Sequence, residues 1–146
     1  MQHVVFGAGA VGSALARHLA GIGERVTAVS RSGRQVEGAE AVAGDAADGE
    51  FVASVVRGSD VVYQCLNPPY HRWPELFPPL QRSVMDAART AGAKLVSFEN
   101  LYMYGPTGGE PVTEDLPYAA TGRKGRVRGQ MATEPVSYTH LRAHET

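Results

Sequence analysis

The feature that most constrains the fold is a glycine-rich turn between two apolar segments near the start of the chain. Residues 7–12 read G-A-G-A-V-G, residues 3–6 before them are rich in β-forming apolar types, and residues 13–19 after them have helical composition. We predict a strand, a tight turn and a helix in that order. In this context the G-x-G-x-x-G spacing is typical of a turn that binds a dinucleotide. The alternative is an ordinary Gly-rich turn of an α/β protein.

Each glycine of this turn has a separate physical task. Gly7 permits the turn out of the strand, Gly9 lets the backbone approach a pyrophosphate without a Cβ in the way, and Gly12 lets the helix pack closely on the sheet. The unpaired N–H groups and the positive dipole end at the start of the helix then attract the phosphates. The candidate residues for binding the pyrophosphate are those of the turn itself: Gly7, Ala8, Gly9, Ala10, Val11 and Gly12.

Further along the chain, strand patterns alternate with helical ones. The residues predict helices over 51–57 and 73–90 and strands over 25–30, 39–43, 60–66 and 94–98. The stretch 31–38 is too short and Gly-rich for a full helix, so we expect a loop or a single turn there. This alternation predicts an α/β fold with a doubly wound parallel sheet of Rossmann type, truncated after about five strands, with ligands bound beyond the carboxyl ends of its strands.

Composition bounds the class of protein. A hydrophobic fraction of 43%, a charged fraction of 20% and a net charge of −1 argue against disorder and against a general polyanion binder. No nucleic-acid partner is therefore expected, despite a basic run at residues 123–128. No apolar run approaches a membrane span and no secretion signal is recognisable, so a cytoplasmic protein without membrane attachment is expected. The single cysteine, Cys65, is expected to fill the core.

The last residues of the chain have a different origin in our interpretation. Residues 136–146 match the in-frame translation of a transposase-type sequencing adapter, and Pro135 falls at the junction. We therefore predict a natural segment over residues 1–134, forming a partial nucleotide-binding domain, and a non-natural tail over residues 135–146. No metal site is predicted. Because a nucleotide-binding half needs a second region to hold substrate, the natural segment is expected to be the N-terminal part of a longer chain.

The end of the second strand indicates which dinucleotide is preferred. Enzymes that prefer NAD place an acidic residue there to bind the ribose 2′-hydroxyl. This chain has Ser30, followed by Arg31 and Arg34. Two cations in place of a carboxylate would pair with a 2′-phosphate, which favours NADP, with NAD as the alternative. A solvated basic loop is the other interpretation of these arginines.

Two further strand ends offer contacts to a dinucleotide. After the third strand, Asp45 and Ala46 place a carboxylate where it would accept a hydrogen bond from an adenine amino group. An equally good interpretation is that Asp45 and Asp48 form turns or cap the next helix. After the fourth strand come Leu66 and Asn67, and the side-chain amide of Asn67 follows the strand end directly.

Together these residues carry a family resemblance. The turn at 7–12, the step at 44–46, the loop at 66–69 and the stretches M-Y-G at 103–105 and P-V-T-E-D-L-P at 111–117 resemble extended short-chain dehydrogenases/reductases of the NAD-dependent epimerase/dehydratase type. The resemblance implies a protein that uses NAD or NADP to oxidise, reduce, epimerise or dehydrate sugar nucleotides or small alcohols and ketones. It also implies a Ser or Thr before the glycine of the M-Y-G stretch, and a helix after it that carries a Tyr-x-x-x-Lys pair.

This chain departs from the family at those positions. Counting back from Gly105, the hydroxyl position falls at Asn100, which can hydrogen-bond a carbonyl, and the Tyr-x-x-x-Lys slot holds Lys124 and Arg128. Lys124 would act as an acid, or as a base if its pKa is depressed, while Arg128 stays charged and binds phosphate or carboxylate. Tyr104 is a further candidate proton donor, with ordinary packing as the alternative. The candidate catalytic residues are Lys124, Asn100 and Tyr104.

Two functions are compatible with these residues. The first is an oxidoreductase or epimerase that binds NADP in this segment and acts on a small or nucleotide-linked substrate. The second is a cofactor-binding sensor or regulator that has lost the catalytic pair. The resemblance also implies that the intact protein can form a homodimer through the helix that begins near Lys124.

Overall fold

Five parallel strands form one sheet, in the spatial order β3-β2-β1-β4-β5. They are β1 (Gln2–Phe6), β2 (Arg25–Ser30), β3 (Glu40–Ala43), β4 (Val61–Gln64) and β5 (Lys94–Ser97). The sheet belongs to the first of two compact units, which comprises residues 1–70 and 79–98, while the second comprises residues 71–78 and those from 99 onwards. The computed structural model describes the backbone of residues 1–144 and the side chains of residues 1–137.

Four helices accompany the strands within residues 1–144. They are α1 (Ala10–Gly21), α2 (Gly49–Val56), α3 (Trp73–Ala91) and α4 (Arg123–His144), with short 3-10 turns at Tyr70–Arg72 and Tyr102–Tyr104. The Rossmann-type parallel sheet predicted from the sequence is confirmed, and the stretch 31–38 is a loop as expected. None of the four helices is long and apolar enough to cross a bilayer.

The core of the first unit lies on both faces of the sheet. Alternate side chains of a strand point to opposite faces, so Val4 and Phe6 of β1 pack on one side and Val5 on the other. The first side is covered by α2 and by the part of α3 that follows residue 79, and the second side by α1. Because β1 is central and buried on both faces, its carboxyl end is held rigidly at the start of the glycine-rich turn.

The second unit is built around α4. The side chains of Trp73 and Phe77, from the start of α3, form a small core with Met131 and Val127 of α4. Helix α4 continues through Pro135 to His144. The proposed origin of residues 135–146 is untested by this geometry, and residues 145 and 146 of that tail lie outside the described residues.

Candidate functional site

At two positions of the glycine-rich turn, the packing of the chain leaves room only for glycine. Gly7 has a φ of +102°, a conformation that side chains rarely adopt, and a Cβ there would lie 2.5 Å from the carbonyl oxygen of Cys65. A Cβ on Gly12 would lie 1.7 Å from the carbonyl oxygen of Gly7. Neither position can carry a side chain without moving backbone. The turn therefore brings strand β1 and helix α1 into the close contact that the sequence predicts.

Gly9 differs from its two neighbours in the motif. It is exposed, and a Cβ built on it meets no described atom within 4 Å. Internal packing therefore gives no reason for a glycine at this position. Close approach of a pyrophosphate requires a backbone without a Cβ and with open space beside it, as at Gly9.

Helix α1 begins without a cap of its own. Gly9 occupies the N-cap position, no side chain makes a capping hydrogen bond, and no acidic residue stands in the first turn. The first N–H groups of a helix have no intrahelical partners, and its N-terminus carries a positive partial charge. An anion is thus the group that this helix start fits best, as the sequence predicts for Ala10 and Val11.

The carbonyl group of Ala8 anchors the turn to two other parts of the first unit. It accepts a hydrogen bond from Ser13 Oγ over 2.8 Å and from Arg34 Nη1 over 3.3 Å. Sequence reasoning missed Ser13. A signal was present, because a serine inside the first helical turn often bonds a nearby backbone carbonyl.

The end of β2 is joined to the following loop by Ser30. Its Oγ accepts a hydrogen bond from the backbone N–H of Arg34 over 2.9 Å, and its carbonyl oxygen accepts one from Gly44 over 3.0 Å. Arg31 and Arg34 are both exposed in this loop, and only for Arg34 is a bond to the glycine-rich turn seen, the one to Ala8. A guanidinium beside this turn is favourable for anionic groups.

The predicted contacts after β3 are engaged in local structure. Asp45 Oδ1 accepts a hydrogen bond from the backbone of Ala47 over 2.9 Å, and Ala46 is buried. Asp48 caps α2 by accepting hydrogen bonds from the backbone N–H groups of Glu50 and Phe51. The turn and cap interpretation therefore holds for both aspartates, and an adenine contact from Asp45 stays a prediction.

A buried glutamine directs the chain at the end of β4. Gln64 is 1% exposed, and its Oε1 accepts the backbone N–H of Leu66 over 2.7 Å. This bond sets how the chain leaves the strand toward Asn67, which is exposed. Sequence reasoning missed Gln64, because inside an apolar run it has no distinguishing pattern.

Cys65 follows Gln64 and is half-buried against the α1 side of the sheet. Burial raises the pKa of its thiol to about 11. Since the thiolate is the nucleophilic form, this cysteine is unreactive at neutral pH. The structure thus agrees with the expectation that it fills the core.

In the second unit, the segment after β5 carries Asn100 and Tyr104. Asn100 Oδ1 accepts the backbone N–H of Tyr102 over 3.1 Å. Tyr104 packs edge-to-face on Tyr118, with ring centroids 5.5 Å apart. Burial raises the pKa of Tyr104, and the nearby acidic groups, Tyr118 first among them, add to the shift. Tyr104 is therefore a protonated phenol at neutral pH.

Arg128 is buried inside the second unit. The whole residue is 1% exposed, and its Nη2 donates a hydrogen bond to Glu99 Oε2 over 2.8 Å. The guanidinium carbon lies 4.5 Å from the ring centroid of Phe77 and 5.7 Å from that of Trp73. Burial lowers the pKa of Arg128, and the charge of Glu99 opposes that shift. The sequence predicted that Arg128 binds a phosphate or a carboxylate, and the partner seen here is a carboxylate of the chain itself.

Lys124 lies one helical turn before Arg128, where α4 meets the segment after β5. The next residue, Gly125, packs so closely that a Cβ on it would lie 2.6 Å from the carbonyl oxygen of Tyr102. Beside this contact runs a groove of about 560 Å³, lined on one side by Met103 and Tyr118 and on the other by Gly129 and Thr133 of α4.

Comparisons with known proteins show which family and which solved structures this chain resembles. A family model described as NAD(P)H-binding matches residues 7–144. A crystal structure of UDP-galactose 4-epimerase is 26% identical with a TM-score of 0.82, and the match covers 97% of this chain and 52% of that chain. No curated protein gives a significant match.

Two structures solved with NAD share the fold. UDP-glucose 4-epimerase from Brucella ovis is 21% identical with a TM-score of 0.82, over 94% of this chain and 47% of that one. dTDP-glucose 4,6-dehydratase from Bacillus anthracis is 16% identical with a TM-score of 0.83, over 97% of this chain and 51% of that one. The chain thus spans about half the length of these structures.

These matches confirm the resemblance to extended short-chain dehydrogenases/reductases that the motifs predict. The family model covers the chain from the first glycine of the turn almost to its last residue. This chain belongs to the NAD(P)H-binding family.

Proposed function

We propose that this chain is the cofactor-binding part of an NADP-dependent oxidoreductase, epimerase or dehydratase that acts on a small or nucleotide-linked substrate. The observation that carries the proposal is the contrast within the glycine-rich turn. Internal packing leaves no room for a side chain at Gly7 or Gly12, whereas a Cβ on Gly9 would meet no described atom within 4 Å. A nicotinamide dinucleotide, when bound, supplies or accepts a hydride.

The preference for NADP over NAD is supported by the residues around Arg34. The loop after β2 carries Arg31 and Arg34 and no acidic residue at the strand end, and Arg34 is tied to Ala8 of the turn. A 2′-phosphate forms charge-assisted hydrogen bonds with guanidinium groups, whereas a ribose 2′-hydroxyl gains little from them. We assign Arg34 as the main selectivity residue, with Arg31 and the hydroxyl of Ser30 as further partners.

Proton transfer is assigned to residues of the second unit. Tyr104 keeps its proton at neutral pH, so it would act as a proton donor. Asn100 accepts a bond at Oδ1, which leaves its NH₂ group to donate to a substrate carbonyl. Lys124 stands in the helix position that carries tyrosine in the family, and it would act as an acid.

The proposal is tested by titrating the chain with NADPH and with NADH and following nucleotide fluorescence. We expect binding of both, with NADPH the tighter. Gly9→Ala should weaken both by about tenfold or more with only a small loss of stability at the N-cap of α1, because the new methyl group meets no described atom of the chain. Gly21→Ala, which also adds a methyl group into open space, is the matched control. Absence of binding by the unmodified chain, or equal binding by Gly9→Ala, would contradict the proposal.

One observation favours the second function, a cofactor-binding sensor or regulator. The charge of Arg128 is committed to Glu99 inside the second unit, so the family's lysine has no exposed counterpart at that position. Lys124→Gln separates the two functions in the full-length protein. Unchanged conversion of substrate or cofactor would remove Lys124 from the mechanism, and absence of any conversion in the unmodified protein would favour the sensor.

A further inference from the structure

We propose that Arg128 is a positioning residue, which by pairing with Glu99 holds the segment 99–104 against the start of α4 and so sets the placement of Asn100, Tyr104 and Lys124. The roles of those three residues rest on the proposed function. Their placement does not, and it can be measured without turnover.

The ion pair is enclosed on the side of the guanidinium. The Arg128 side chain is 2% exposed and that of Glu99 is 28% exposed, with 2.8 Å between Nη2 and Oε2. A buried guanidinium is tolerated only with a close partner, so the position of Arg128 restricts the position of Glu99. Helix α4 and the segment after β5 are therefore joined at this point.

Two aromatic rings and a methionine also contact the guanidinium of Arg128. The guanidinium lies over Phe77 and near Trp73, at distances that allow cation–π attraction, and its Nη1 lies 3.8 Å from the sulfur of Met131. A planar guanidinium stacks on a ring and pairs with a carboxylate at the same time, which a lysine ammonium does less well. This explains the need for arginine at a position where the family carries lysine.

The residues that follow Glu99 also contact the aromatic side chains around Arg128. Asn100 Oδ1 accepts the backbone N–H of Tyr102, and the Tyr102 ring packs edge-to-face on Trp73 with centroids 5.5 Å apart. Trp73 in turn lies against Arg128. The contacts form a closed circuit around the backbone of residues 99–102, so a change at Arg128 reaches Asn100 through two routes.

The same segment touches the first turn of α4 and the residues just before that helix. Gly125 lies against the carbonyl oxygen of Tyr102, and the backbone N–H of Ala120 donates to the carbonyl oxygen of Met103 over 3.1 Å. Lys124 precedes Gly125, and Tyr104 follows Met103. Displacement of residues 99–104 would therefore alter the surroundings of Lys124 and Tyr104 together.

The chain offers internal probes for a test. Lys124 and Lys94 are its two lysines, and Lys94 lies exposed in β5 of the first unit. Trp73 is the single tryptophan and lies against the guanidinium. The rate of acylation of Lys124 relative to Lys94, mapped by peptide mass spectrometry between about pH 7 and 10, reports the surroundings of Lys124. Trp73 emission reports the aromatic enclosure.

We expect Arg128→Met and Glu99→Gln to change the Lys124 to Lys94 ratio by roughly threefold, to shift its pH profile and to shift Trp73 emission. Arg128→Lys, which keeps the charge, should fall between Arg128→Met and the unmodified chain. Arg57→Met, an exposed arginine in the first unit, should change neither readout.

Two results would overturn the proposal. One is an unchanged ratio in Arg128→Met and in Glu99→Gln. The other is a ratio that changes only to the value of the urea-denatured chain, since that would mean loss of fold and not repositioning. Failure of NADPH to bind would contradict the proposed function and leave the labelling result standing, so the two failures are distinguishable.

Discussion

Arg34 Nη1 donates a hydrogen bond to the carbonyl oxygen of Ala8 over 3.3 Å. This contact joins the loop after β2 to the glycine-rich turn, across a separation of 26 residues in the sequence. It places a fixed positive charge beside the backbone that is proposed to hold phosphates. Selectivity between NADP and NAD is therefore expected to depend on Arg34 more than on Arg31.

Arg34→Ala should weaken NADPH binding by about tenfold or more, the effect of losing a charge-assisted hydrogen bond, and NADH binding much less. The two dissociation constants are measured by fluorescence titration of the variant and of the unmodified chain. Arg31→Ala is the comparison within the same loop, and we expect a smaller loss. Equal losses of NADPH and NADH affinity on Arg34→Ala would contradict the assignment of a 2′-phosphate partner.

Gly12→Ala should destabilise the first unit by about 1–3 kcal/mol or prevent folding, because its methyl group overlaps backbone that has no room to move. Thermal unfolding followed by circular dichroism gives the size of the effect. Gly21→Ala, at the end of the same helix, should leave stability unchanged or raise it slightly. If the two variants unfold at the same temperature, the close contact at Gly12 is wrong.

Asp48→Ala should lower stability by about 1 kcal/mol, because it removes the acceptor that caps α2. The Asp48→Asn variant keeps a side-chain oxygen and should lose much less. Urea unfolding of both variants measures the difference. A loss in Asp48→Asn as large as in Asp48→Ala would mean that charge, and not the cap, is what matters at this helix start.

The thiol of Cys65 should alkylate slowly at about pH 8 and faster only as the pH approaches its pKa of about 11. In urea, where burial is lost, the reaction should follow an ordinary thiol. The raised pKa of this thiol also makes the stability of the fold depend on pH. The folded thiol keeps its proton at a pH where the unfolded thiol has lost it, so the free energy of unfolding falls as the pH rises above the unfolded pKa toward 11. Alkylation at pH 8 as fast as in urea would contradict burial of this side chain.

The strands and the glycine-rich turn could be predicted because their signals are local. The apolar run of β2 gives its bounds of Arg25 and Ser30 directly, and the stop after α3 is marked by Gly92. Two of the three glycine roles also follow from geometry that any strand, turn and helix of this spacing must satisfy. Element type and order depend on periodicity, which a single sequence shows.

The contacts of Arg128 could not be predicted in this way. Its partner Glu99 is 29 residues away, and its aromatic neighbours belong to α3. The sequence indicated a cation that would bind a carboxylate or phosphate, and only the packing of the second unit shows that the carboxylate is internal. Ser13 and Gln64 differ from Arg128, because each bonds a backbone group only five or two residues away in the sequence.

The measurement that tests the central claim most directly is an amide ¹H–¹⁵N NMR titration of the chain with NADP⁺. We expect the largest shifts at the backbone N–H groups of Ala10, Val11 and Gly12, which open α1 and would receive the pyrophosphate. Saturable binding that leaves those three amides unchanged, or no binding at all, would contradict a dinucleotide site on this turn.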